Sequence, residues 1–346
     1  MVANLHDIDS LDMFGATFAL PEQIEHATAV AAEVTGLPSG KGITSAIVMG
    51  MGGSGIGGDV AAAVAAPDAT VPLVVSKHYE CPAWVGPDTL VMASSFSGNT
   101  EETIAAATVA AQRGARMVVM CSGGDLARLA GEWDAPVVPF DASIPMPRAG
   151  IGAVSVSPLI VMARMGLLPD VSAQVDAAVA QLRKRAEELR GDDNPAAVLA
   201  RRIGRTMALV YGGGVLGEAA AWRWKGQFNE NPKMPAWPNR LPELTHNEIA
   251  GWAVNGDVTR QVFTLLLLRH DFEHPQVARR FGIVAEVCDE IVADVIEVTA
   301  EGQGPLAQFL DLTIVGDLTT LHVAVDLGVD PGPIPLLDDI KERLRS

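Results

Sequence analysis

Basic charge is scarce in this chain: 25 Lys and Arg stand against 42 Asp and Glu, a formal net charge of −17. Nucleic-acid backbones are gripped by clustered Lys and Arg, so a nucleic-acid partner is excluded. A small phosphorylated ligand is not, because backbone N–H groups at a helix N-terminus hold phosphate without net positive charge. Cysteine is scarce as well. Cys81, Cys121 and Cys288 are widely spaced and odd in number, which fits neither a zinc pair nor a disulfide framework and reads as reduced cytosolic thiols. The opening MVANLHDIDSLDMF has early acids and no basic flank ahead of an apolar run, unlike a signal peptide. Apolar runs such as VFTLLLL fall far short of a membrane span. The expectation is a cytoplasmic protein with no membrane partner.

What is present points to a globular α/β protein. With 346 residues, 49% apolar and 19% charged, the chain has room for two domains, each with its own core. Residues 1–40 read as two short helices ending at the turn LPSGKG. ITSAIVMGM then reads as a buried parallel strand, followed by the glycine loop GMGGSGIGGD and the alanine-rich helix DVAAAVAA. VPLVVSK, TLVMASS, ARMVVMCS and PVVPF continue the alternation. Residues 41–190 are therefore expected to form a doubly wound parallel sheet of flavodoxin-like type, with its ligand edge at the strand C-termini.

Residues 170–203 read as helical, broken at GDDNP, where the domain boundary is placed. Residues 195–346 restart the pattern: TMALVYGGGVLGEAAAWRW is again strand, glycine loop and helix, with VFTLLLLR and ADVIEVTA as further strands. Leu306 to Leu327 is expected to form the helices that close the domain, and Leu336 to Leu344 a short amphipathic helix carrying Lys341. Two such starts suggest tandem copies of one domain.

The two glycine loops fit G-x-G-x-x-G at Gly50, Gly52 and Gly55 and at Gly212, Gly214 and Gly217. A dinucleotide site wants an acid at the end of the next strand; here that strand ends Ser76-Lys77-His78, which argues against nicotinamide binding. SSFSGNTEET is more informative. Ser95, Ser97 and Thr100 offer three hydroxyls, Gly98 is expected to let the backbone approach a ligand, and the following helix start adds N–H groups and a positive dipole end. Gly53 and Ser54 would close the other side around a phosphate monoester. Ser97 or Asn99 is expected to cap the helix, with Glu101 and Glu102 favouring its dipole.

The stretch from Trp224 to Trp252, WKGQFNENPKMPAWPNRLPELTHNEIAGW, is dense in groups that are costly to bury. Asn prefers caps and turns and Pro232 stops a helix, so Glu230 in FNENP belongs at a helix end, facing a cleft as a possible general base. Trp224, Phe228 and Trp252 are expected to desolvate it. The alternative is that Glu230 is a solvated surface acid and His246 a helix N-terminal residue.

GMGGSG, SFSGNTEET, the arginine of MPRAG, FNENPK and LPELTHNEIAGW occur in the order found in the bifunctional phosphoglucose/phosphomannose isomerases, two-domain members of the sugar isomerase (SIS) superfamily, and the chain resembles that family over residues 45–345. The resemblance implies two tandem SIS domains, a hexose 6-phosphate substrate, a homodimer with shared active sites, and no metal or organic cofactor. It implies that Glu230 moves a proton between C1 and C2 through a cis-enediol. His246, from the neighbouring subunit, would help open the sugar ring, Arg148 would stabilise the enediolate, and Lys341 would lie near the ring oxygen. Where the family carries a threonine associated with acting on both epimers, this chain has Ile334, which puts mannose 6-phosphate activity in question. A non-catalytic sugar-phosphate sensor on the same fold and an amino-sugar phosphate enzyme are the competing readings.

Overall fold

A computed structural model describes residues 8–345 and divides the chain into two compact units. One unit takes Ala19–Lys184 and Glu301–Asp311; the other takes the described residues up to Phe18, Arg185–Ala300 and the chain from Leu312 on. The expected N-terminal helices are Met13–Phe18 (α1) and Leu20–Glu33 (α2); residues 1–7 lie outside the described chain.

The first unit holds a five-stranded parallel sheet of β1 (Ser45–Met49), β2 (Leu73–Ser76), β3 (Thr89–Ser94), β4 (Arg116–Cys121) and β5 (Val137–Pro139) in the order β2-β1-β3-β4-β5. Its central strands are continuous apolar runs because both faces are covered. Ile47, Met49, Val91 and Val119 pack on α4 (Glu101–Gln112) and α5 (Gly124–Glu132) through Ala106, Ala110 and Leu126. On the other face α3 (Gly52–Ala65) lies so close to α6 (Ile151–Arg164) that a Cβ on Gly57 would stand 2.5 Å from the Val154 carbonyl oxygen.

The second unit repeats the plan. Strands β6 (Met207–Gly213), β7 (Ala236–Leu241), β8 (Phe263–Arg269) and β9 (Asp294–Thr299) form a parallel sheet in the order β7-β6-β8-β9. This matches the first four positions of the other sheet, with the glycine-loop strand in the same place, so the tandem reading holds. Strand β7 has no counterpart in the sequence expectations. Its Pro238, paired with Val210, lacks the N–H a central strand needs, and the strand is found at the sheet edge, where that loss is tolerated. Helices α10 (Gly256–Val262) and α11 (Pro275–Cys288) lie on either side of β8 in the chain, and the stretch expected to make several closing helices is a single one, α12 (Pro305–Asp326). In it the backbone at Gly316 lets the Trp224 ring approach to 2.3 Å of where a Cβ would stand. Among the described residues no helix is long and apolar enough to cross a membrane.

The break at GDDNP separates α7 (Ser172–Glu188) from α8 (Pro195–Ile203). Asn194 caps α8, its Oδ1 accepting from Ala196 and Ala197 N at 2.9 and 3.0 Å. Because that oxygen is committed, the amide nitrogen faces His322 Nε2 at 3.2 Å and donates to a neutral ring. Phe14 meets the same ring edge-on at 5.1 Å. Burial, joined by the Arg201 charge, pushes the His322 pKa below its ordinary 6.5, against the opposing pull of Asp326 and Asp192. The unfolded chain therefore binds the proton first, so this contribution is complete above pH 6.5 and is lost as pH falls from there through the folded-state value. Urea unfolding at pH 7.5 and pH 5 should show wild type losing more stability on acidification than His322→Gln. Equal losses would refute the assignment.

Candidate active site

In the first unit the order β2-β1-β3 reverses direction at β1, and ligands of open α/β sheets bind in the crevice at such a switch point. Both candidate loops leave the adjacent strands that flank it. The loop after β1 runs into α3, whose first turn presents backbone N–H groups at Gly52, Gly53 and Ser54. The loop after β3 holds Ser95, buried, with its Oγ 2.7 Å from Thr100 Oγ1, the residue just ahead of α4. The two loops are joined by Phe96, whose N donates to the buried Ser54 Oγ at 3.1 Å.

Phe96 does more. Its carbonyl accepts from Ser122 N and Oγ, its ring stacks on Phe140 at 5.6 Å, and a Cβ on Gly150 would strike that ring at 2.5 Å. The short helical turn Pro147–Gly150 is thereby laid against the glycine loop: a Cβ on Gly53 would stand 3.1 Å from the Pro147 carbonyl oxygen and 3.5 Å from Arg148 Cα. Arg148 is buried at 3% exposure. Gly53, Ser54, Ser95, Thr100 and Arg148 are thus brought to one region of the first unit. Phe96, which gathers them, was not singled out by the sequence, although a lone aromatic in a Ser/Gly loop was a usable signal.

The expected helix cap is corrected. Ser97 is exposed and its Oγ accepts from Asn99 N at 3.3 Å, within its own turn. Neither it nor Asn99 caps α4; the cap position is Thr100, and Asn99 Oδ1 instead accepts from Asp125 N at the start of α5. Gly98, at φ +71°, is required because a Cβ there would stand 1.7 Å from the Gly123 carbonyl oxygen. The close approach it permits is to a neighbouring loop.

The second copy has no equivalent hydroxyl cluster. After β8 the turn is filled by Glu273, which accepts from His270 N at 3.1 Å and pairs with Arg269, and a Cβ on Gly213 would meet the Phe281 ring at 2.9 Å. What this unit offers is Glu230, the last residue of α9 (Gly214–Glu230), and partly exposed. The flanking amides hold its turn: Asn229 Nδ2 donates to Met234 O at 2.9 Å and Asn231 Nδ2 to Thr320 Oγ1 at 2.9 Å. Lys233, at φ +58°, donates to Asn231 O and to Asp330 O. Trp224 and Phe228 are fully buried and, at about 100° per residue, point to other faces of α9 than Glu230. They do not wall it off. Trp252 packs on Phe263 at 6.0 Å.

His246 is exposed at the end of a 3-10 turn, Glu243–His246, and not at a helix N-terminus. Lys341 stands on α13 (Pro335–Arg345) with its side chain 66% exposed, 3.7 Å from Asp338. Among the described residues no group of three or more His, Cys, Asp or Glu could hold a metal ion.

Residues 43–162 match the SIS domain family, and residues 192–344 match the bacterial phospho-glucose isomerase C-terminal SIS domain. The bifunctional phosphoglucose/phosphomannose isomerase of Caldicellulosiruptor bescii is 31% identical over 336 residues, 96% of this chain and 98% of that protein. Its namesake from Aquifex aeolicus is 32% identical over 301 residues, 87% and 90% of the two chains. Among solved structures, the C-terminal domain of glucosamine-fructose-6-phosphate aminotransferase from Francisella tularensis superposes with a TM-score of 0.72 at 15% identity, covering 95% of this chain and 99% of that one, a likeness of fold alone. With two SIS domains in tandem and relatives above 30% identity along nearly its whole length, the chain belongs to the bifunctional phosphoglucose/phosphomannose isomerase family.

Proposed function

We propose that the protein is an aldose–ketose isomerase that interconverts fructose 6-phosphate with glucose 6-phosphate and, more slowly, mannose 6-phosphate. The observation that carries this reading is the hydroxyl and N–H cluster of Gly53, Ser54, Ser95 and Thr100, gathered at the switch point beside Arg148 in a chain that is 31% identical to a named isomerase. A phosphate monoester gains charge-assisted hydrogen bonds there. Ser97 is the remaining phosphate candidate, at the loop tip.

Isomerisation then needs a base beside the carbonyl and a cation for the developing oxyanion. Glu230 takes the proton from C2 of the aldose and returns it to C1 of the cis-enediol, and the reverse for the ketose. Arg148 holds the enediolate oxygen, and its burial strengthens that interaction. His246, contributed by a second copy in a homodimer, opens the ring, and Lys341 serves the ring oxygen. These roles are carried from the family onto matching positions, and the chemistry requires no cofactor.

Ile334 sets the expected product ratio. An isoleucine offers no hydroxyl to hold a water where the family has threonine. Purified protein given fructose 6-phosphate should form glucose 6-phosphate well in excess of mannose 6-phosphate, and Ile334→Thr should raise the mannose share. Binding of fructose 6-phosphate without turnover would replace this reading with the sensor.

A further inference from the structure

The segment that carries His246 has little backbone structure of its own. Two 3-10 turns, Glu243–His246 and Glu248–Ala253, meet at Asn247 with φ −147° and ψ −70°. Such turns have poor hydrogen-bond geometry and do not persist alone. In the first only Leu244 is buried, and in the second no residue is, although Ile249 and Trp252 rest partly on the core. His246 itself is exposed, so its placement has to come through the chain on either side.

Both sides are tied. Thr245 Oγ1 accepts from Arg280 at 2.6 Å. On the other side, Glu248 is reached from two strands: the Tyr211 hydroxyl donates to one carboxylate oxygen and the Asn239 amide to the other. Tyr211 and Asn239 are register partners on β6 and β7, so their side chains leave the sheet on the same face and converge on one carboxylate. Tyr211 is 1% exposed, and burial together with the neighbouring Glu248 charge keeps its phenol protonated and donating. Asn247 completes the frame, accepting from Glu248 N at 2.6 Å and donating to Glu243 Oε1 at 3.0 Å.

We propose that Glu248, clamped between Tyr211 and Asn239, is a positioning residue that fixes the placement of His246 for ring opening. The proposal rests on the role given to His246 above. The clamp uses charge-assisted bonds to a carboxylate, and it lies two residues from the imidazole's attachment. The Tyr211–Glu248–Asn239 set thereby couples the sheet edge to the exposed histidine.

The test uses Glu248→Gln, Tyr211→Phe and His246→Ala, alone and combined, in the full chain. Hydrogen exchange of residues 243–253 should quicken in the first two, with the β6 and β8 peptides unchanged. For fructose 6-phosphate, kcat should fall about tenfold with KM little moved, and that loss should vanish on the His246→Ala background, the sign of two residues acting as one unit. Unchanged exchange in 243–253 overturns the clamp whatever the activity. Full kcat in Glu248→Gln despite faster exchange, or a loss that adds in full to that of His246→Ala, overturns its link to the histidine. A His246→Ala variant as fast as wild type would remove the role on which the proposal stands, and is read separately from the exchange result.

Discussion

Glu230→Gln is expected to lower kcat for fructose 6-phosphate isomerisation by about 10²–10⁴-fold, the range a positioned general base supplies. The substitution keeps side-chain shape and helix propensity but removes the only group at that position able to take a proton. The turn should survive, because it is held by Asn229, Asn231 and Lys233 and not by Glu230 alone. KM should change little, since the proposed phosphate contacts come from Ser54, Ser95, Thr100 and the first turn of α3. A coupled assay for glucose 6-phosphate gives the rate, and deuterium incorporation from solvent at C1 and C2 gives the proton step by itself. Both should disappear together. A variant that isomerises at the wild-type rate would remove Glu230 from the mechanism, and one that still exchanges deuterium without isomerising would move its role from proton removal to proton return.

The sheet was legible where physics made it so. Central strands of a parallel sheet are buried on both faces, so AIVM, LVMA, MVVMC and LLLL are unbroken apolar runs, and each lies within a strand. Strand β7 was hidden because Pro235, Pro238 and Pro242 crowd AWPNRL. Only its edge position, which no local pattern announces, makes a strand there permissible. At the site, the end of α9 at Glu230 followed from Asn and Pro chemistry, and the hydroxyl loops followed from composition. The work of individual polar groups did not. Asn99 bonds a residue 26 positions away and Asn231 one 89 away, and a requirement such as Gly98 against Gly123 exists only once two loops are folded together. Trp224 and Phe228 mislead for a related reason: proximity in sequence to Glu230 is not proximity in space on a helix, where residues two or six apart face different ways.

Asp317→Ala is expected to destabilise the second unit by about 3–5 kcal/mol, the cost of leaving one member of a buried ion pair without its counter-charge. Arg223 on α9 meets Asp317 on α12 through two bonds, Nε to Oδ1 at 3.1 Å and Nη2 to Oδ2 at 2.5 Å, with both side chains under 5% exposed. In the variant the guanidinium stays charged, as arginine does in proteins, so its desolvation is no longer offset by the carboxylate. Removing both charges is a different matter. Arg223→Met combined with Asp317→Leu takes away the desolvation of two ions along with their attraction, and such swaps are neutral or stabilising by roughly 1–4 kcal/mol. Urea unfolding followed by tryptophan fluorescence suits the comparison, since Trp224 is fully buried in this unit and bonded to Leu312 O. The single variant should shift the midpoint strongly downward and the double variant should restore it. A double variant as unstable as the single one would mean that the pair contributes net stability through its bidentate geometry, beyond offsetting its own burial, and that the seam between α9 and α12 depends on it.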